Sequence, residues 1–171
     1  MIHFICVSNW TTQRIEEANK FAEENGMEPI RISQINYSLA HSSVETFGDD
    51  TLVCMDTKEF RWYKKHDFPV MAFSPQAKGF FAKLAKGDAA NNLPEGQYAG
   101  PANLARLAKV KQLSEQTGDT PAKITLGYLN SQPFFVSSVF AVTKLWQLDE
   151  DMEAQDLTYD PKTVAFLENM I

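Results

Sequence analysis

An α/β fold with four parallel strands covered by helices is what this sequence predicts, and three observations predict it. Short β-type runs alternate with segments of helical period along the chain, the pattern of parallel strands joined by crossover helices. Several helical segments open on recognisable caps: Thr11 or Thr12, Asp56, Thr120-Pro121 and Asp160-Pro161. The 171 residues, 44% hydrophobic and without a short repeat or low-complexity linker, suit one structural unit over 1–171 with a substantial core.

The first strand covers residues 3–8 and begins at His3. Behind it, Thr11 or Thr12 caps a helix whose Ile15, Ala18, Phe21 and Ala22 share one face. Gly26 ends that helix, because glycine tolerates the left-handed conformation of a helix terminus. The second strand spans 30–34; after a loop, Asp56 opens a short helix with Glu59 placed for the reciprocal half of the cap and Trp62 and Tyr63 as bulk. Pro69 introduces the third strand, 69–74, whose nearly unbroken apolar run suits burial on both faces. Residues 75–100 hold Pro75, Gly79, Gly87, Pro94, Gly96 and Gly100 and read as a long loop, part of which is expected to cover a ligand. Helical period returns at Leu104, Leu107, Ala108 and Leu113, stops near Gly118 and restarts behind Thr120-Pro121. The fourth strand is 134–142. Leu145, Leu148 and Met152 then share a helical face, and a closing helix after Asp160-Pro161 turns Val164 and Leu167 inward. Four such strands suit either a small flavodoxin-like sheet or half of an eight-stranded barrel, and spacing alone leaves both open.

The formal charge of -6 is spread over short mixed-sign stretches, which disfavours nucleic acid or an anionic membrane as partner. Cys6 and Cys54 lack metal-ligand spacing, and a reduced, cytoplasmic setting is expected. The opening apolar run is shorter than the core of a signal peptide, and no stretch approaches the roughly 20 apolar residues that span a bilayer. His3, His41 and His66 show no spacing for metal or nucleophilic chemistry, and no metal site is expected.

Four segments carry a family resemblance. Cys6-Val7-Ser8-Asn9-Trp10 resembles the G-V-S-N-W/F motif that ends the fifth barrel strand of the aldo/keto reductases. Gln34-Ile35-Asn36-Tyr37-Ser38 is similar to their Q-x-x-Y-S, and Pro69 to Gly79 to P-V-x-A-[YW]-S-P-L-x-x-G at the seventh strand. Leu145 to Ala154 looks like the helix after the eighth strand, with its L-x-x-L-x-E-N. The resemblance covers essentially the whole chain and implies half of a TIM (β/α)8 barrel. It also implies NADP(H)-dependent reduction of an aldehyde or ketone, with NAD(H) a possible cofactor.

By that resemblance Ser8, Asn9 and Gln34 would grip the nicotinamide carboxamide, which needs both donors and acceptors. A plainer reading makes Ser8-Asn9 the start of a helix turn. Phe73 stands where the family stacks a Tyr or Trp on the nicotinamide ring; its π face preserves stacking worth roughly 0.5–1.5 kcal/mol, and its plainer reading is a core aromatic. Ser74, Gln76 and Lys78 would approach the pyrophosphate, or form a solvated turn. Thr143 and Lys144 would meet the 2′-phosphate of NADP, although Asp149, Glu150 and Asp151 follow closely and would repel it.

In the family, the Asp, Tyr, Lys and His that deliver the proton come from the first four strands. The chain is therefore expected to lack that tetrad, to have no catalytic residue of its own, and to be inactive alone. A small carbonyl substrate enters only if an N-terminal half completes the barrel. Opening a barrel exposes two sheet edges and its apolar centre, so a homo-oligomer, a dimer first, is expected. A non-catalytic half-barrel module for self-assembly or nucleotide binding, or an inactive truncated product, is the alternative.

Overall fold

The computed structural model describes residues 4–87 and 98–168. Within them β1 (Ile5–Ser8), β2 (Ile30–Asn36), β3 (Val70–Phe73) and β4 (Val136–Val139) form one sheet in that order, every neighbouring pair parallel. Helix α1 (Thr12–Glu24) links β1 to β2, and α2 (Val44–Phe47) and α3 (Thr57–His66) link β2 to β3. Helices α4 (Phe80–Ala85), α5 (Pro101–Thr117) and α6 (Pro121–Asn130) lie between β3 and β4, with α7 (Leu145–Met152) and α8 (Pro161–Glu168) after them. The unbroken strand order excludes the flavodoxin-like alternative, whose chain reverses across the sheet, and is the arrangement of a partial β/α barrel.

The register divides the sheet into two unlike faces. Val7, Ser33, Ile35, Val70, Ala72, Val136 and Ser138 share one of them, since strand partners point to the same side. Ile35, Val70 and Ala72 are fully buried there, in a core with Tyr63, Phe80, Phe81, Ile124, Leu129 and Leu167. The opposite face carries Cys6, Ser8, Ile32, Gln34, Asn36, Met71, Phe73, Ser137 and Val139. No described helix covers it, and of its side chains only Asn36 is buried. The third strand therefore differs from the expectation of burial on both faces: Val70 and Ala72 are buried, Met71 and Phe73 only half so.

Helix caps follow local chemistry. Thr11 Oγ1 accepts from Arg14 N, Asp56 from Glu59 N and Thr120 Oγ1 from Lys123 N, and Gly118 closes α5 with φ 78°. The Asp56 cap is not reciprocal, because the Glu59 carboxylate turns instead to α1 and accepts from Thr12 N at 3.0 Å and Thr12 Oγ1 at 3.3 Å. Strand limits also move. The second strand runs on to Asn36, whereas the fourth, expected over 134–142, is only Val136–Val139 because its partner β3 ends where Ser74 takes φ 52°. The first starts at Ile5, with residue 3 outside the described residues.

The expected loop at 75–100 instead opens with a one-turn 3-10 helix, Ala77–Gly79, and α4; residues 88–97 lie outside the described residues. Two helix faces also differ from expectation. Phe21 is 57% exposed on α1, and Leu145 is 81% exposed on α7, which buries Asp151 in place of Leu148 and Met152. Periodicity gives the spacing of a face, whereas the neighbour decides which face is covered. The closing helix agrees with expectation: Leu167 is fully buried and Val164 packs on the core.

Candidate functional site

Among the described residues, four of the five non-glycine positions with positive φ stand just beyond strand ends: Asn9 (54°) after β1, then Ser74 (52°), Ala77 (49°) and Lys78 (56°) after β3. Such conformations cost of order 1–3 kcal/mol each and gather where a fold holds backbone for a ligand. Carboxyl ends of parallel strands are also where β/α barrels carry their sites.

Across the bare face, Ser8 and Gln34 are partners in adjacent strands, with Met71 and Ser137 continuing that row. Asn36, Phe73 and Val139 form the next row toward the carboxyl ends. Asn9 is fixed by its backbone: its N–H donates to Gln34 O at 2.9 Å, and its Oδ1 accepts from Val53 N at 3.2 Å. Its amide NH2, the Ser8 hydroxyl and the Gln34 side-chain amide bond to no described residue. Segment 53–55 is stitched to β2 by Asn36 N to Val53 O and Met55 N to Asn36 O. Asn36 itself is buried, accepting from Ser42 Oγ at 2.7 Å. Desolvation pushes the Cys6 thiol above its ordinary value, which disfavours the reactive thiolate.

Beside this face, the β3 loop and α4 face the β4–α7 segment across a cleft of about 830 Å³. Its walls include Ser74, Gln76, Lys78, Lys83 and Lys86 on one side and Thr143, Trp146, Gln147, Glu150 and Asp151 on the other. The walls meet where Gln76 Nε2 donates to Asp151 Oδ1 at 2.6 Å and where Lys86 Nζ lies 5.2 Å from the centre of the Trp146 ring. Burial pushes the Asp151 carboxyl above the usual range, opposed by the Gln76 hydrogen bond. Gln147 Oε1 accepts from Thr143 N (3.1 Å), Thr143 Oγ1 (3.2 Å) and Lys144 N (3.0 Å), fixing the start of α7. The arrangement can therefore hold an elongated ligand, with polar and aromatic groups on the sheet and cations in the cleft.

A model of the aldo/keto reductase family matches residues 1–171. The chain belongs to the aldo/keto reductase family. Aldo/keto reductases are oxidoreductases that generally use nicotinamide cofactors, and this member's residues fall into two groups. Ser8, Gln34 and Phe73 share the bare face toward its carboxyl end and Asn9 follows directly beyond β1, while Ser74, Gln76, Lys78 and Thr143 line the adjoining cleft. Lys144 does not line it. Sequence reasoning missed Lys83, Lys86 and Trp146 as cleft residues. Lys83 and Lys86 fall in the stretch that its prolines and glycines mark as loop, although the run from Gly79 to Lys86 is rich in good helix formers. Among the described residues no helix is long and apolar enough to cross a membrane, and no group of three His, Cys, Asp or Glu could hold a metal.

Proposed function

We propose that this chain is the cofactor-holding part of a carbonyl reductase, which lays a nicotinamide dinucleotide over the carboxyl ends of β1 to β3 and along the neighbouring cleft. The observation that carries the reading is the placement of Ser8, Gln34 and the half-buried Phe73 on one sheet face with Asn9 next beyond β1, where Ser8 Oγ, the Asn9 NH2 and the Gln34 amide have no protein partner among the described residues. Together they present both donors and acceptors, the set a carboxamide requires, next to a π surface for a flat ring. Lys78, Lys83 and Lys86 supply positive charge to a pyrophosphate, with the backbone turned at Ser74, Ala77 and Lys78. When bound, the reduced nicotinamide supplies a hydride.

Proton delivery is a separate requirement, because the carbonyl oxygen must be protonated as hydride arrives. Around the ring position the sheet face presents Ser8, Gln34, Asn36, Met71, Phe73 and Val139, none an acid near neutral pH. The reading therefore assigns these residues to binding and orientation, and the proton to residues of an N-terminal half carrying the family's Asp, Tyr, Lys and His. Titrating the chain with NADH and NADPH, followed by nicotinamide fluorescence and thermal shift, tests it. Gln34→Ala is expected to weaken binding about tenfold, the value of one or two hydrogen bonds to a buried amide. Absence of any response to either cofactor in the unmodified chain would remove the reading.

A second reading, self-association of half-barrels with no chemistry, is favoured by the uncovered sheet face and by Phe4 at 69% and Val139 at 38% exposure. It predicts a dimer by light scattering that Phe4→Glu returns to monomer. A monodisperse monomer at high concentration would dismiss it.

A further inference from the structure

The residues that resemblance gives to the 2′-phosphate of NADP do not present themselves to the cleft as a phosphate site would. Thr143 donates its hydroxyl to Gln147, and Lys144 lies outside the lining. What α7 presents to the cleft is Trp146, Gln147, Glu150 and Asp151. Asp151 is only 5% exposed; its Oδ1 accepts from Gln76 Nε2 of the opposite wall, while its Oδ2 accepts from no described residue. Both partners depart from the motifs above, Gln76 standing at the Leu of S-P-L and Asp151 at the Asn of E-N, and the two departures meet at 2.6 Å.

From these contacts we infer that Asp151 is a specificity-determining residue that favours NAD(H) over NADP(H), accepting a hydrogen bond from the adenosine end and repelling a 2′-phosphate. The inference rests on the dinucleotide reading and extends it to the choice of cofactor. A buried carboxylate with an open acceptor suits a ribose hydroxyl or the adenine amine, both donors. Phosphate at the ribose 2′ position offers acceptors and about -1.5 to -2 charge, which meets Glu150 and Asp151 from the same helix. The cations stand on the other wall, where Lys78, Lys83 and Lys86 face the two charges of the pyrophosphate and Lys86 also lies against Trp146.

The test measures NADH and NADPH dissociation constants by energy transfer from tryptophan to the reduced nicotinamide. ADP-ribose and 2′-phospho-ADP-ribose, followed by thermal shift, probe the adenosine end without the nicotinamide grip. The unmodified chain is expected to bind each unphosphorylated ligand at least about tenfold more tightly than its 2′-phosphate counterpart. Asp151→Asn can still accept from Gln76 and is expected to shrink that ratio at least about fivefold. Equal or tighter binding of the phosphorylated ligands by the unmodified chain, or an Asp151→Asn ratio that does not move, overturns the inference and leaves the dinucleotide reading intact. Failure of all four ligands to bind overturns both.

Discussion

Asn103→Ala is expected to destabilise the fold by about 3 kcal/mol, because one buried side chain satisfies three backbone groups that alanine cannot reach. Asn103 is 4% exposed in the first turn of α5; its Oδ1 accepts from His41 N at 2.7 Å, and its Nδ2 donates to His41 O at 2.9 Å and Tyr98 O at 3.0 Å. Each orphaned buried group costs about 1–3 kcal/mol, and the sum is discounted because His41 is exposed enough for water to reach part of its backbone. The consequence should extend beyond stability. Arg106 Nη1 donates to Leu39 O at 2.7 Å, so α5 holds the loop after β2 at two points, and that loop carries Ser42, the partner of Asn36 beside Phe73. Urea denaturation followed by circular dichroism should show a lower midpoint with an unchanged slope. Asn103→Asp is a sharper probe: it keeps the acceptor for His41 N but turns a second acceptor toward two carbonyl oxygens, so it should be at least as costly at neutral pH and recover on acidification. A loss below about 1 kcal/mol for the alanine variant would mean that the loop rehydrates without penalty.

Asn103 also marks where the sequence stops speaking. Its residue type and position suit an exposed first turn, and nothing local says that its amide will pair with a residue 62 positions earlier. The strands and caps were legible because their causes are local: apolar runs at Ile30 and Val70, hydroxyl and carboxylate caps at Thr11, Asp56 and Thr120. The motif residues Ser8, Gln34 and Phe73 could be gathered on one face because parallel strands in register place them there, with Asn9 directly after β1. Burial of particular faces could not be read, as the exposed Phe21 and Leu145 show, since a helix of a given period does not announce which neighbour will cover it. The Gln76–Asp151 bond was hidden for a related reason: it joins residues 75 positions apart, each unremarkable alone.

Glu59→Ala is the second change expected to cost about 3 kcal/mol, and Glu59→Gln separates its two causes. Glu59 is 4% exposed and Thr12 is 2% exposed, so removing the carboxylate leaves the Thr12 N–H and hydroxyl without acceptors at the buried start of α1. Glutamine keeps an acceptor for the N–H and offers a donor to the hydroxyl, so near neutral pH it should cost little. Burial, the largest cause, pushes the Glu59 carboxyl above its ordinary 4.5, with Asp56 adding to the rise and the Thr12 N–H opposing it. A carboxyl that holds its proton more tightly folded than unfolded contributes stability in full below the unfolded value. That contribution is lost as pH rises through the raised folded value. The wild type should therefore lose stability relative to Glu59→Gln as pH climbs from about 4.5 toward neutral, and the difference should level off above that window. Thermal unfolding across this range reads it directly, and parallel curves for the two proteins would show that Glu59 titrates as it does in the unfolded chain. The same contact has a functional reach, because Thr12 stands three residues after Asn9. In Glu59→Ala the start of α1 loses its Thr12 hydrogen bonds to α3, although Glu16 still accepts from Trp62 Nε1, so the proposed nicotinamide grip at Ser8 and Asn9 should weaken by a similar factor for NADH and NADPH, whereas Asp151→Asn should change their ratio.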